Sequence, residues 1–209
     1  SLSIGCASYP EEASDFNMLV NYSEFALFEA RTDKRAVINW FSEENYVREK
    51  DSYRNAQTYS RIVQENLLTY YLQPIVETQK GEIVAYEALM RTVGDIKMAP
   101  KQILKIGETQ NNLYAIEKLT FFNTMKLLSD NQQIFEKRKL FINCLPNHLL
   151  TDEDFNELYL TYGELLEKTV IEIVEESSAT AKGIEILKKR CGFAHAMLAI
   201  DDYGTGYSN

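Results

Sequence analysis

The chain has 209 residues, 45% hydrophobic and 25% charged, a composition typical of a soluble globular protein with one or two domains. Its net charge of −9 disfavours nonspecific binding to a DNA or RNA polymer or to an anionic membrane surface, because both require a positive protein surface. With no long apolar run and no signal-peptide pattern, we expect no membrane segment in this chain. Three widely spaced cysteines favour reduced thiols and a cytoplasmic location over a disulfide framework.

The N-terminal segment predicts a strand, a helix and a second strand. The first strand lies within 3–10, the helix covers about 15–35 with Ser14 or Asp15 as its cap, and the second strand lies within 36–41. Two strands joined by one helix bury too little apolar surface to form a domain. We therefore expect this piece to be cut from a longer chain and to need further partners.

Residues 42–66 are rich in charged side chains and contain neither glycine nor proline. This composition predicts a helix, which would act as a semi-rigid connector between two domains. A charged run is also typical of any solvated helix face, so the connector role stays open at this point.

From about residue 69, short apolar strands alternate with helices. The predicted strands are Tyr70–Val76, Glu82–Met90, Leu140–Asn143, Val170–Val174 and Met197–Ile200. The predicted helices cover 100–106, 113–129, 154–166 and 181–191. A tight turn at Lys80-Gly81 predicts that the first two strands form a hairpin. The later alternation indicates a largely parallel sheet, either an open α/β sheet or a (β/α) barrel, although the visible strands are fewer than a closed barrel needs.

Oxygen-bearing side chains occur at or near the carboxyl ends of four of these strands. They are Glu87, Asn143, Glu172 and the adjacent pair Asp201 and Asp202. In barrel folds catalytic sites are built at that end of the strands. Carboxylate and amide oxygens suit Mg²⁺, Mn²⁺ or Ca²⁺, and two adjacent aspartates can serve two metal ions acting on a phosphate ester. Each residue alone is more typical of a surface or turn position, so the prediction depends on their joint occurrence.

The motifs around these residues resemble the EAL-domain family of cyclic-di-GMP phosphodiesterases. The matching segments are Gln73-Pro-Ile-Val76, Glu87-Ala-Leu89 with Arg91, Phe141-Ile-Asn143 with Pro146, Glu172-Ile-Val-Glu175, and Asp201-Asp202-Tyr-Gly-Thr-Gly-Tyr-Ser. The resemblance covers about 59–209. It implies an α/β fold with a TIM-like (β/α) barrel of the EAL type, whose C-terminal strands would lie beyond this chain.

The resemblance also implies a role for each position. Glu87, Asp201 and Asp202 would be catalytic, and the metal ligands would be Glu87, Asn143, Glu172, Asp201 and Asp202. Gln73 and Arg91 would bind the dinucleotide, and Glu175 would stabilise the loop that follows Asp202. The implied cofactors are two Mg²⁺ or Mn²⁺ ions, and the implied reaction is metal-dependent hydrolysis of cyclic di-GMP to linear pGpG.

Some features depart from the family pattern. Val174 stands where a threonine is usual, and the family's catalytic lysine, a further metal-binding glutamate and a late glutamine would lie beyond Asn209. We therefore expect hydrolysis from the parent protein, which could carry a membrane anchor upstream, rather than from this chain alone. The alternatives are an inactive receptor that binds cyclic di-GMP and regulates a partner, and a regulator that binds no nucleotide. A homodimer through the EAL domain is an expectation from the resemblance alone.

The N-terminal segment resembles the end of a GGDEF, or diguanylate cyclase, domain in its runs 3–10 and 16–31. The two resemblances together imply an α+β GGDEF-like fragment over 1–41, a helical linker over 42–66 and an EAL domain over 67–209. Cyclase activity cannot be assigned, because the motif that names the GGDEF family would lie upstream of this chain.

Other chemistries are less favoured. Cys144 with His148, and Cys191 with His195, are each four residues apart, but Pro146 and Gly192 interrupt a shared helical face. Neither spacing supports a nucleophile pair or a zinc site. The thirteen tyrosines could stack on guanine bases, although core packing explains most of them.

Overall fold

The computed structural model describes residues 2–32, 38–174 and 180–201. The chain forms two compact units that divide between Thr58 and Tyr59. The predicted end of the first helix at Arg35 and the predicted site residues Glu175 and Asp202 lie outside the described residues. In the described part of the chain, no helix is both long and apolar enough to cross a membrane.

The first unit contains a strand–helix–strand arrangement. Strand β1 (Ile4–Cys6) pairs in parallel with β2 (Ile38–Trp40), and helix α1 (Phe16–Thr32) connects them. Of the two predicted caps, Asp15 acts at the start of α1, because its Oδ1 accepts a hydrogen bond from the backbone N–H of Met18 at 2.9 Å.

A long helix completes the core of this unit. Helix α2 (Glu43–Gln64) supplies Tyr53, which is buried with Phe25 and Phe41. Tyr22 stacks on Phe41 with 3.9 Å between the ring centroids. The prediction of a helix is confirmed, and α2 contributes an aromatic side chain to a small core in this unit. The expectation that this piece needs further partners stays a prediction.

Within the described residues, the second unit contains one five-stranded sheet. Its strands lie side by side in the order in which they occur in the chain, so the first and the last strand form its edges. The strands are β3 (Leu68–Glu77), β4 (Glu82–Thr92), β5 (Lys139–Cys144), β6 (Thr169–Val174) and β7 (Met197–Asp201). Strands β3 and β4 form the predicted antiparallel hairpin, and the remaining pairs are parallel. Gly81 adopts a φ of +69° at the turn, a conformation that glycine adopts without strain. The described sheet is open and is consistent with part of a TIM barrel.

Four helices alternate with the strands as predicted. They are α3 (Pro100–Thr109), α4 (Leu113–Asp130), α5 (Asp152–Leu166) and α6 (Ala181–Ala194). Helix α5 begins earlier than predicted because Thr151 caps it and accepts a hydrogen bond from the N–H of Asp154 at 3.1 Å. Helix α6 extends further than predicted and ends where His195 adopts a left-handed φ of 54°.

Alternation along the strands decides which side chains enter the core. In β5, Leu140, Ile142 and Cys144 are buried, and the residues between them point to the opposite face of the sheet. This alternation places Asn143 on that opposite face, away from the buried side chains of β5.

Candidate functional site

Strand register places the predicted site residues on one face of the sheet. Gln73 pairs with Glu87 across the hairpin, and Asn143 pairs with Glu172 between β5 and β6. Glu87 also pairs with Phe141, the residue two positions before Asn143. Since paired residues point to the same side and successive residues alternate, these four polar side chains share one face.

Asp201 joins the same face at the carboxyl end of β7. Glu172 pairs with Ala199, and Asp201 follows two residues later in the same strand. The alternation therefore returns Asp201 to the face of Glu172. Its predicted neighbour in the site, Asp202, lies outside the described residues.

One direct hydrogen bond links two of the predicted metal ligands. The Nδ2 of Asn143 donates to Oε1 of Glu87 at 3.0 Å, although the two residues are 56 positions apart in the chain. This contact leaves the amide oxygen of Asn143 available to another partner. An amide oxygen beside carboxylates is a donor set that Mg²⁺, Mn²⁺ and Ca²⁺ prefer.

Glu172 carries a partly buried carboxyl group near two other acidic side chains. Its Oε2 is buried and has no hydrogen-bond partner among the described residues. Burial, followed by repulsion from Glu87 and Asp201, raises the pKa of Glu172 to about 7. An unpaired buried carboxylate is costly, and a cation is the partner that would remove this cost.

The donor set fits a hard divalent cation. Within the described ranges, no three His, Cys, Asp or Glu side chains gather closely enough to form a closed metal site. Three carboxylates and the amide of Asn143 nevertheless share the face, and two of the carboxylates raise the pKa of the third. A bound cation would cancel that repulsion and would draw the carboxylates inward.

A cationic and an aromatic side chain lie further along the same face of the sheet. Arg91 is four residues beyond Glu87 in β4, and its guanidinium lies 5.6 Å from the centroid of the Tyr71 ring. Tyr71 lies two residues before Gln73 in β3 and therefore on the same face of the sheet, and it is 64% exposed. Tyr70 is only 5% exposed and donates to Thr120 Oγ1 at 2.8 Å. Tyr71 is therefore open to solvent on the face of the candidate ligands, whereas Tyr70 packs in the core, a distinction that strand alternation alone could have indicated.

The family model of the EAL domain matches residues 55–209. The chain belongs to the EAL domain family. The match covers all of the second compact unit, so the sheet face described above is that of an EAL domain.

One relative of this EAL domain is named for cyclic di-GMP. The cyclic di-GMP phosphodiesterase NbdA of Pseudomonas aeruginosa is 23% identical over 217 residues, which cover 99% of this chain and 27% of that protein. The chain spans about a quarter of the length of the curated relatives that it matches.

Solved structures show the same fold. BlrP1 of Klebsiella pneumoniae, in a complex with manganese and cyclic di-GMP, has a TM-score of 0.56 and 25% identity over 68% of this chain and 36% of its own. The S helix–GGDEF–EAL portion of LapD of Vibrio cholerae, bound to c-di-GMP, has a TM-score of 0.61 and 13% identity over 95% of this chain and 49% of its own.

The cysteines of both Cys–His pairs are buried in this EAL domain. Cys144 is buried, and its thiol donates to Oε1 of Glu117 at 3.1 Å. Burial raises the pKa of Cys144, and it raises the pKa of Cys191 to about 11, so both thiols stay protonated and unreactive at neutral pH. His195 ends helix α6 in a left-handed conformation. The contact between Cys144 and Glu117 was not predicted from the sequence, because the two residues are 27 positions apart in the chain.

Proposed function

We propose that the protein to which this EAL domain belongs hydrolyses cyclic di-GMP to linear pGpG with two bound Mg²⁺ or Mn²⁺ ions. The observation that carries the proposal is the buried, unpartnered oxygen of Glu172 in a row with Glu87 and Asp201. Such a row is unfavourable without a cation, and it occurs within the EAL match. The manganese and calcium complexes of BlrP1 with cyclic di-GMP support a divalent metal.

The residues of the site divide into two groups. Glu87, Asn143, Glu172, Asp201 and Asp202 would hold the ions, and Glu175 would stabilise the loop that follows Asp202. Bound divalent ions would supply charge stabilisation for in-line attack of water at phosphorus. The protein's own contribution is to present several acceptors from separate strands on one rigid sheet face.

Gln73, Arg91 and Tyr71 would bind the dinucleotide. A guanidinium matches two oxygens of a phosphodiester in a forked geometry that an ammonium cannot reproduce. Arg91 already has one nitrogen directed to the backbone, since its Nη1 donates to the carbonyl oxygen of Met90 at 2.7 Å. That hydrogen bond restricts the side chain before ligand arrives, which lowers the entropic cost of binding.

Replacing Arg91 by lysine should weaken cyclic di-GMP binding about tenfold, because the forked contact is lost while the charge remains. Isothermal titration calorimetry in the presence of Ca²⁺ measures the dissociation constant. Arg138→Lys is the matched control: Arg138 donates to the carbonyl oxygens of Ile83 and Ile134, near the opposite end of β4. Equal affinities for Arg91→Lys and the wild type would remove Arg91 from the binding site.

The proposed reaction is tested on the full-length parent protein. Cyclic di-GMP is incubated with Mg²⁺, with Mn²⁺ or with EDTA, and the nucleotides are separated by chromatography. Metal-dependent formation of linear pGpG supports the phosphodiesterase. Binding without any product assigns the protein to the receptor alternative, and the absence of binding excludes both.

A further inference from the structure

Helix α4 carries a carboxyl group inside the protein core. Glu117 is 1% exposed, and its two oxygens accept hydrogen bonds from the last residue of β5 and from the residue that follows it. Oε1 accepts from the thiol of Cys144 at 3.1 Å, and Oε2 accepts from the backbone N–H of Leu145 at 3.0 Å. No cation pairs with Glu117 among the salt bridges of the described residues. A carboxyl group at this depth is expensive to bury, and packing alone would be served better by an apolar side chain.

The position of these two contacts gives Glu117 a link to the candidate metal site. Cys144 and Leu145 directly follow Asn143, whose amide nitrogen donates to Glu87 on the opposite face of the sheet. Cys144 is the last residue of β5, so the chain leaves the sheet at the point that Glu117 holds. Fixing the thiol and the next N–H fixes the backbone on the carboxyl side of Asn143, and therefore the direction of its side chain.

A second set of contacts holds the same segment from the side of α6. The N–H of Thr180 donates to Oδ1 of Asn147 at 2.9 Å. A Cβ atom on Gly183 would lie only 2.4 Å from the carbonyl oxygen of Pro146. The residues after Asn143 are thus confined between helices α4 and α6, and Glu117 supplies the contact nearest to Asn143.

We propose that Glu117 is a positioning residue for Asn143. By holding Cys144 and Leu145, it presents the amide oxygen of Asn143 to the divalent cation of the site. The inference rests on the proposed function for the presence of that cation. Residues that orient a metal ligand without touching the metal typically change metal affinity about 10–100-fold when they are replaced.

The test uses the full-length parent protein and two buried substitutions on α4. Glu117→Gln keeps the size of the side chain but replaces one of its two accepting oxygens by an amide nitrogen, which cannot accept a hydrogen bond. Thr124→Ala is the matched control: Thr124 is fully buried on the same helix, and its hydroxyl donates only to backbone oxygens of that helix, those of Thr120 and Phe121. Mn²⁺ binding is measured by electron paramagnetic resonance, and stability by thermal unfolding.

We expect Glu117→Gln to raise the dissociation constant for Mn²⁺ about tenfold. Hydrogen-exchange mass spectrometry should also show faster exchange at Leu145. Thr124→Ala should keep the wild-type affinity, although its melting temperature falls. Cys144→Ala removes only one of the two contacts and should raise the dissociation constant by a smaller factor, which provides a readout if Glu117→Gln does not fold.

The outcomes separate this inference from the proposed function. If the wild type binds Mn²⁺ and Glu117→Gln binds it equally well, Glu117 serves stability alone and the inference is wrong. An equal loss of affinity in Thr124→Ala leads to the same conclusion. If the wild-type protein binds no Mn²⁺, the metal chemistry of the proposed function is itself wrong.

Discussion

Replacing Glu172 by glutamine is expected to stabilise the metal-free protein at pH 8 and to lower the rate of cyclic di-GMP hydrolysis about a hundredfold. The pKa of Glu172 is raised to about 7, above its ordinary value, so protonation of this group favours the folded state. Its contribution to stability is present at low pH and is lost as the pH rises through about 7. Glutamine carries no charge at any of these pH values and avoids that loss.

Thermal unfolding in EDTA at pH 5 and at pH 8 measures this effect. The wild-type melting temperature should fall over that interval by several degrees more than that of Glu172→Gln. Burial raises the pKa of Glu117 to about 8, so Glu117 also lowers the melting temperature as the pH rises, and it does so in both proteins. The difference between the two proteins therefore isolates the effect of Glu172. Glu82→Gln makes the same chemical change at an exposed position in β4 and should leave the wild-type pH dependence unchanged.

The same substitution has the opposite effect on function. Removing one carboxylate ligand should lower turnover on the order of a hundredfold and should remove the rise in melting temperature that Mn²⁺ produces in the wild type. Chromatographic assays and unfolding with added Mn²⁺ provide both readouts. A Glu172→Gln protein that Mn²⁺ still stabilises as strongly as the wild type would contradict the assignment of Glu172 as a ligand.

Replacing Gly183 by alanine should destabilise the protein by about 1–3 kcal/mol, the usual cost of inserting a methyl group into a closely packed site. The added Cβ would lie 2.4 Å from the backbone oxygen of Pro146, so helix α6 or the segment after β5 must move. Because that segment follows Asn143, Mn²⁺ affinity should fall as well. Chemical denaturation measures the stability, and electron paramagnetic resonance measures the affinity.

Gly192→Ala is the control for this substitution, since Gly192 lies in the same helix with open space around its Cα. Alanine favours helix more than glycine does, so this variant should gain up to about 1 kcal/mol and keep its Mn²⁺ affinity. A Gly183→Ala protein as stable as Gly192→Ala would show that the segment after β5 can shift without cost.

Local patterns in the sequence determined the elements and the row of candidate ligands. Turn residues at Lys80-Gly81 predicted the hairpin, and apolar runs predicted the five strands, all of which form with ends shifted by a few residues. The EAL motifs were recognisable because their residues are close together in the chain. The domain boundaries at 41 and 66, the GGDEF-like character of the first unit, and the roles of Glu175 and Asp202 stay predictions.

Only the tertiary structure decided how residues distant in sequence combine. Asn143 contacts Glu87 across 56 positions, and Glu117 contacts Leu145 across 28. Within its own helix, Glu117 is indistinguishable from a solvated charge, because helical periodicity carries no information about a loop that packs there. The unpartnered oxygen of Glu172 has the same origin: the sequence determines that a carboxylate is present, but the packing of neighbouring strands decides whether water or a partner reaches it.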